Sequence, residues 1–481
     1  MGEQSVSGPT SDRLLRACAL ALALASCSLS RSDVTACSSS SRCREVFGFG
    51  SVCNADGYCE AMRKNPRCNA SFPKDLLSRP ESYPSAILIG SLMDRSLATH
   101  VAREAAIILA ATQADEAGGL GGRYFGVVLC DIAKNTNYDS LDHTEAAAEA
   151  ARHLADAYGV SAIVGPSAST DAVAVYEALK QRDVLLISPS ATSPALSSLD
   201  DKNPTDAAPG RFWRTAPPDT LQGAAIALYL QAKAAGSVVV IHESGAYGEG
   251  LSSVFDGTFS GLGGQTTLSS FSTSAERDAA IAAAGKSAAP WVLFVSSQTA
   301  DAVAFLNAAA TLTGYAKKQL FLTDSAANAD LFKGASGSSA LFPRVRGSRF
   351  AVPAGEVYEL FRASFKAAYK ADANQYSYVA HAYDATWLTF YGAARSQGQE
   401  GFVHGVGIAR GLRQLSKGPA ADVQPSSWAS VAQALAGGGS VDVQGASGAL
   451  DYDPLTEETK GPVDIWKITG QSFEAEQTLA P

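Results

Sequence analysis

The sequence lacks any excess of positive charge and any long apolar segment. Only 18% of the 481 residues are charged, and the formal net charge is −9 at pH 7. A protein that binds nucleic acid would show basic stripes, so we expect no nucleic-acid partner. No segment reaches the ~20 consecutive apolar residues of a helix that spans a bilayer. A hydrophobic fraction of 46% is typical of a globular protein, and a length of 481 residues is sufficient for two or more domains.

The motifs of common catalytic and cofactor sites are also missing. The chain contains no HExxH, P-loop or GxSxG pattern, and its six histidines are scattered. The glycines at 118–122 follow a predicted helix instead of joining a strand to a helix, so they are not a dinucleotide fingerprint. We therefore expect no catalytic residues, no cofactor and no metal site.

The N-terminal region carries a signal for export. Arg13 and Arg16 precede the apolar stretch ACALALALA, which is too short to cross a bilayer. The stretch ends in LASC at 24–27, which resembles the lipobox of bacterial lipoproteins. That resemblance implies that residues 1–26 are a signal peptide and that Cys27 carries a lipid anchor to a bacterial membrane, in the periplasm or at the cell surface. An ordinary signal peptide with an incidental cysteine is the alternative.

Cysteine is concentrated just beyond this signal. Five residues fall within 32 positions: Cys37, Cys43, Cys53, Cys59 and Cys68. Clustered cysteines in an exported chain indicate disulfides, whereas the metal-site alternative lacks a CxxC spacing and a nearby histidine. Because five is odd, one thiol is free or pairs elsewhere. We assign 27–84 to a Cys-rich tether with a small disulfide module.

Alternating strands and helices fill the rest of the chain. Apolar strands at 86–90, 124–131, 160–165 and 184–188 alternate with helical patterns, and a second such set runs from 219 to 324. This alternation predicts an α/β fold with parallel sheets covered by helices. Two sets of similar size predict two lobes with a cleft between them.

Loops rich in small hydroxyl residues follow several of these strands. LLISPSATSPALS at 185–197 has a simple interpretation as a turn, and GPSAST at 165–170 as a helix N-cap. However, open α/β sheets bind ligands at the carboxyl ends of their strands, and a helix N-terminus attracts anions. A carboxylate-binding site is therefore the second interpretation.

Several segments in order resemble the type I periplasmic binding proteins of the leucine/isoleucine/valine-binding class. They are AGGLGG followed by VVLCD, then GVSAIVGPSAST, VLLISPSATSPALS, FWRTAPPDTLQGAA, AYGEGL and YSYVAHAYDATWL. The resemblance covers about 84–470 and implies two Rossmann-like lobes joined by three crossovers, with a ligand closed between them. We assign lobe 1 to 85–215 and 352–440, and lobe 2 to 216–351 and 441–481.

The resemblance also implies the ligand contacts. The Ser169 hydroxyl meets the ligand carboxylate, together with a backbone group of Ser190 and the hydroxyl of Thr192. Tyr247 is the aromatic residue of the second lobe, and Asp324 pairs with the ligand ammonium. Hydroxyl and helix N–H groups suit a carboxylate, and a carboxylate suits an ammonium, so these roles agree with the chemistry.

Two departures from the family pattern concern the ligand side chain. Asp94 and Arg95 stand in the loop after the first strand, where small and aromatic residues are expected. Gln298 stands where many relatives have an aromatic residue, which makes it a possible ligand contact. We expect a pocket more polar than one for leucine.

Two functions are compatible with these features. In the first, an extracytoplasmic lipoprotein binds a small amino acid, or a related amide or carboxylate, for delivery to an ABC transporter permease. In the second, a surface lipoprotein with the same fold is a sensor or scaffold without a transport partner. The Cys-rich module favours the second, because a transport receptor seldom needs one.

Overall fold

A computed structural model of the protein describes residues 1–2, 36–135, 137–200 and 203–480. The predicted signal peptide, apart from its first two residues, and Cys27 lie outside these ranges. The chain divides into two compact units, Met1–Arg63 and Lys64–Pro481. Within the described ranges, no helix combines the length and the apolar character that a membrane crossing requires.

The first unit is small and cross-linked. Helix α1 is followed by two antiparallel strands: α1 Ser40–Phe47, β1 Ser51–Cys53 and β2 Cys59–Ala61. Disulfides join Cys37 to Cys53 and Cys43 to Cys59. The predicted disulfides are thereby confirmed. The four sulfur atoms are used in these two bonds, so they are not metal ligands in this unit. The unit ends at Arg63, whereas the sequence analysis extended the tether to residue 84.

The second unit alternates strands and helices along its whole length. Its first part contains β3 Ala70–Phe72, β4 Ile87–Met93, α2 Ala98–Glu116, β5 Phe125–Asp131, α3 His143–His153, β6 Ala162–Val164, α4 Ser169–Leu179, β7 Leu185–Ser188 and β8 Phe212–Arg214. The middle part contains α5 Asp219–Ala232, β9 Ser237–Glu243, α6 Ala246–Gly261, β10 Gln265–Phe271, α7 Ser274–Lys286, β11 Trp291–Val295, α8 Thr299–Thr311, β12 Gln319–Leu322, α9 Ala329–Gly334 and β13 Val345–Phe350. The last part contains α10 Glu356–Tyr369, α11 Val379–Glu400, α12 Gly405–Leu412, β14 Ala420–Asp422, α13 Trp428–Ala436, β15 Asp442–Gly445, β16 Gly448–Ala449, β17 Val463–Thr469 and β18 Ser472–Leu479.

The two large sheets repeat one strand order. The first is β3-β5-β4-β6-β7-β8, and the second is β10-β9-β11-β12-β13-β17-β18. Five strands of each sheet are parallel, and β3, β17 and β18 pair antiparallel at the edges. Every residue of β4 is buried, as expected for a strand covered by helices on both faces. The α/β fold with parallel sheets is confirmed.

The chain passes between the two lobes three times. Helices α10–α13 pack on the first sheet in one core, and the second sheet forms its own cores with α5–α8. The crossings lie between β8 and α5, between β13 and α10, and between β16 and β17. One boundary differs from the assignment made from sequence. Strand β15 pairs with β14, and its Val443 packs in the first core, so lobe 2 resumes after Tyr452 and not at residue 441.

The fifth cysteine of the cluster belongs to the second unit. Cys68 forms a disulfide with Cys130 of β5, 62 residues away in the sequence. Beside this bond, β3 pairs antiparallel with β5 and extends the first sheet at its edge. The segment 64–84 is therefore part of the first lobe, and the fifth cysteine of the cluster pairs with Cys130, which lies outside the cluster.

Candidate functional site

The strand order of both sheets defines where a ligand can bind. In a sheet ordered 2-1-3-4-5, ligands bind beyond the carboxyl ends of the first and third strands, where the order reverses. These strands are β4 and β6 in the first lobe, and β9 and β11 in the second. A cavity of about 360 Å³ is lined by segments that follow all four of them. This volume is typical of a site for a small molecule.

The first-lobe wall of the cavity carries hydroxyl groups. Ser169 begins α4, and its Oγ accepts a hydrogen bond from the N–H of Ser193 at 3.2 Å. Ser190 donates from its Oγ to the carbonyl oxygen of Ser167 at 3.0 Å. Residue Ala168 at the N-cap offers no side-chain cap, so the positive end of α4 is available to attract an anion. Ser169 and Ser190, which the sequence analysis selected, both line the cavity.

A glycine permits the tight path of this loop. Gly165 has φ +101°, a conformation that other residues rarely adopt. A Cβ at this position would lie 2.6 Å from the carbonyl oxygen of Leu92 at the end of β4. The loop after β6 can therefore pass close to β4 and bring Ser167 and Ser169 to the cavity.

Thr192 requires a correction. Its side chain is 0% exposed and does not contribute to the cavity wall. Its hydroxyl donates a hydrogen bond to Asp219 Oδ2 at 2.9 Å. The structure thus places Thr192 behind the wall, where it holds a buried carboxyl group at the start of α5.

On the opposite wall, Asp324 is held by three donors. The hydroxyl of Tyr247 and the amide of Gln222 donate to its Oδ1 at 2.5 and 2.9 Å. The hydroxyl of Tyr378 donates to its Oδ2 at 2.7 Å. Asp324, Tyr247 and Tyr378 all line the cavity. Two of the predicted ligand contacts, Tyr247 and Asp324, are therefore bonded to each other.

Burial favours the neutral form of the groups around Asp324. It raises the pKa of both Tyr247 and Tyr378 well above the ordinary value, and the charge of Asp324 raises them further. Burial and the same charge raise the pKa of the Asp219 carboxyl well above its usual range. Both tyrosines therefore donate to the Asp324 carboxylate as neutral hydroxyls.

The wall next to α8 carries polar residues beside Ala300 and Val303. Gln298 is the N-cap residue of α8 without forming a side-chain cap, and it lines the cavity with Ser297 and Thr299. The Ser297 hydroxyl donates to Glu243 at 3.0 Å. A ligand that reaches this end of the cavity therefore meets an amide and hydroxyl groups.

The structure adds a cavity residue that the sequence analysis missed, Arg103 on α2. Its side chain is buried, and Nη1 donates to Ser190 Oγ at 3.1 Å. Nε donates to the carbonyl oxygen of Ser377 at 3.2 Å, and the guanidinium carbon lies 5.3 Å from the centre of the Tyr378 ring. Arg103 follows His100 by three positions and precedes Ile107 by four, so it shares their buried helix face. That spacing was the available signal in the sequence.

Asp94 and Arg95, the charged pair in the loop after β4, do not line the cavity. Arg95 pairs with Glu104 at 3.0 Å, and Asp94 pairs with His143 at 3.1 Å. Burial lowers the pKa of His143, but hydrogen bonds to Asp171 and Asp94 outweigh it and raise the value to about 10. Asp94 and Arg95 therefore form ion pairs within the first lobe. They do not contribute to the polarity of the cavity wall.

The lobes touch each other beside the cavity. The hydroxyl of Thr170 accepts the N–H of Ala246 at 3.2 Å, and Ser193 donates from its Oγ to the carbonyl oxygen of Ala246 at 2.5 Å. Gly245 and Gly250 lie at this contact, where an added Cβ would be 2.8 Å from Thr170 Oγ1 or Ser193 Oγ. The absence of a side chain at these two glycines therefore permits the closed arrangement of the lobes.

Two lobes of this topology, with three crossings and a ligand-sized cavity between them, define a type I periplasmic binding protein. The chain belongs to the family described as receptor family ligand binding region, whose model matches residues 102–471. No curated protein sequence matches the chain.

Solved structures with the same fold include several solute-binding proteins. The leucine-binding protein LivK from Thermotoga maritima is 18% identical, with a TM-score of 0.65 over 82% of this chain and 99% of that one. LivJ from Streptococcus pneumoniae, solved with isoleucine, is 20% identical, with a TM-score of 0.64 over 82% and 100%. An ABC-transporter solute-binding protein from R. palustris, solved with benzoate, is 16% identical, with a TM-score of 0.60 over 82% and 97%.

Replacing Gly250 by valine is expected to hold the lobes apart. The new Cβ would meet Ser193 Oγ at 2.8 Å and Pro194 Cδ at 2.9 Å, both in the opposite lobe. Gly257→Val is the matched control, because it lies on the same helix and a Cβ there has no atom within 4 Å. Both changes alter helix propensity by less than about 1 kcal/mol. Small-angle scattering should give a larger radius of gyration for Gly250→Val only; equal radii would contradict the closed contact.

Proposed function

We propose that the protein is an exported solute-binding lipoprotein that binds a small amino-acid-like molecule between its lobes and delivers it to an ABC transporter. The observation that carries this proposal is the position of Asp324 in a cavity whose other wall presents Ser169, Ser190 and the N-terminus of α4. A carboxylate faces hydroxyl and N–H groups across this cavity. This arrangement complements a zwitterion, which has an ammonium at one end and a carboxylate at the other.

The environment of Asp324 leaves room for a ligand ammonium. Its Oδ2 accepts one hydrogen bond, from Tyr378, within the described part of the chain. A carboxylate oxygen has two lone pairs, so this atom can accept a second donor from a ligand. Tyr247 and Gln222 fix the carboxylate through Oδ1 and prevent it from turning away.

The ligands of structurally similar proteins support this class of solute. The molecules named with these relatives are isoleucine, leucine and benzoate, each of which carries a carboxylate. Two of the three also carry an α-ammonium. The polar wall around Gln298 favours a ligand side chain that is smaller or more polar than that of leucine.

A binding assay tests the role of Asp324. We expect at least one of the twenty amino acids to raise the melting temperature of the protein. Asp324→Asn should then raise the dissociation constant of that amino acid roughly tenfold or more in calorimetry, because a hydrogen bond to a charged group contributes about 1.5–3 kcal/mol. The same change should have little effect on the deaminated analogue, which has no ammonium.

Asp384→Asn is the control for this experiment. Asp384 is also fully buried, but it accepts hydrogen bonds from the N–H groups of Ala446 and Ser447, away from the cavity. Its replacement should leave affinity unchanged. If no amino acid binds, or if Asp324→Asn binds its amino acid as the wild type does, the proposed amino-acid function is wrong.

The lipid anchor is supported by the sequence around Cys27, which closes a short apolar stretch. Cys27→Ala should abolish lipid attachment and leave the protein either unprocessed or soluble. Fractionation with mass analysis of the N-terminus measures this result. Normal processing and membrane association of Cys27→Ala would contradict the anchor.

A sensor or scaffold without a transport partner is the second candidate, favoured by the separate disulfide-bonded unit Met1–Arg63. Deletion of the gene should abolish cellular uptake of the ligand if the protein serves a transporter. Restoration with a chain that lacks residues 36–63 should then restore uptake. Undiminished uptake in the deletion strain would favour the sensor.

A further inference from the structure

Arg103 differs from the other buried arginines in its partners. In the described ranges, three arginines are buried: Arg67, Arg103 and Arg214. Arg67 forms an ion pair with Asp139, and Arg214 forms one with Glu458, each at 2.6 Å. Arg103 has no described carboxylate within ion-pair distance, and it donates instead to hydroxyl and carbonyl oxygens of Ser190 and Ser377.

The positive charge of Arg103 persists at neutral pH. Burial lowers its pKa to about 10, and the nearby Tyr378 and Asp324 oppose this effect. His100, the neighbouring histidine on the cavity wall, is neutral because burial and the Arg103 charge lower its pKa to about 3. Among the described residues that line the cavity, Arg103 is therefore the one that carries a positive charge.

A buried cation without an anion is costly, because the protein removes water from it without supplying a counter-charge. Such a charge is typical of a functional site, where a ligand supplies the missing partner. Asp324 lies near enough to influence Arg103 but is bonded to Tyr247, Tyr378 and Gln222. The two charges thus remain apart, and both face the cavity.

The surroundings of Arg103 suit a planar anion. Its planar guanidinium offers several N–H donors and can bind both oxygens of a carboxylate. Tyr378 lies against the guanidinium, and Ser190 fixes one end of it. Ser169 and the N-terminus of α4 share the same wall and add further donors for an anion.

We propose that Arg103 is the anion receptor of this cavity, and that the solute is consequently a small carboxylate whose charge neutralises the guanidinium. The inference rests on the proposed function only in requiring that the cavity binds a solute. It does not require an ammonium on that solute. An α-amino acid can pair its carboxylate with Arg103 and its ammonium with Asp324, whereas an acid such as benzoate pairs with Arg103 alone.

Matched pairs of probes test this assignment. Each pair differs only in the group that meets Arg103: L-isoleucine against L-isoleucinamide, and benzoate against benzamide. The wild type should prefer the carboxylate over the amide by about a hundredfold in calorimetry, as expected for a desolvated charge pair. In Arg103→Met this preference should fall below about tenfold, and in Arg103→Lys it should be intermediate because the bidentate geometry is lost. The ratio of the two dissociation constants, measured on one variant, does not change when part of that protein is inactive.

A measurement without ligand covers the case in which none of the four probes binds. Arg103→Met removes an unpaired charge, so the ligand-free protein should melt at the same temperature as the wild type or higher. Arg214→Met breaks an ion pair and leaves Glu458 unpaired, so it should melt lower.

The outcomes separate this inference from the proposed function. A carboxylate preference that survives in Arg103→Met would overturn the role of Arg103, as would a ligand-free Arg103→Met protein destabilised as much as Arg214→Met. A third outcome is that Arg103→Met loses the preference for benzoate over benzamide, while the wild type binds no amino acid. This result would support the role of Arg103 and contradict the amino-acid function.

Discussion

The carboxylate of Asp324 joins parts of the chain that are far apart in sequence. Tyr378 precedes the long helix α11 of the first lobe, whereas Tyr247 and Gln222 belong to helices of the second lobe. All three donate to one carboxylate on the cavity wall. If Asp324 were lost, two buried hydroxyls and an amide would lack their acceptor, at a cost of roughly 1–3 kcal/mol for each group. Both the closed arrangement of the lobes and the polarity of the cavity depend on this group.

The charge pattern of the cavity follows from which groups burial neutralises. Burial lowers the pKa of His100 to about 3 and raises the pKa values of Asp219, Tyr247 and Tyr378. Arg103 brings a positive charge to one wall and Asp324 a carboxylate to the facing wall, while Asp330, which also lines the cavity, pairs with Lys333. A small solute with a carboxylate is the partner that this pattern accommodates, and an ammonium on the same solute adds a second contact.

Much of this architecture could be predicted from the sequence. Apolar strands such as β4 alternate with helices, and that alternation determines parallel sheets with ligand sites at their carboxyl ends. Ser169, Ser190, Tyr247, Asp324 and Gln298 all line the cavity, because each follows a strand at the correct edge. Thr192 follows β7 as well, but the direction of its side chain in an irregular loop has no signature in the sequence.

Helical spacing indicates that Arg103 lies on the buried face of α2, but its partners, like the disulfide partner of Cys68, could not be predicted because these contacts are long-range. Ser190 is 87 residues from Arg103, and Ser377 is 274 residues away. Nothing in the local pattern of α2 indicates that these residues meet there. Cys68 and Cys130 are brought together only when β3 joins the edge of the first sheet. The boundary at which the chain leaves lobe 1 for lobe 2, after Tyr452, depends likewise on the pairing of β15 with β14.

A crystal structure of the protein saturated with a carboxylate that binds it, L-isoleucine or benzoate, tests the central claim most directly. The account predicts closed lobes, with the ligand carboxylate oxygens about 2.7–2.9 Å from the guanidinium nitrogens of Arg103. For an amino acid, it also predicts the ammonium beside Asp324 Oδ2. A closed structure in which the carboxylate points away from Arg103, with the guanidinium bonded only to Ser190 and Ser377, would contradict it.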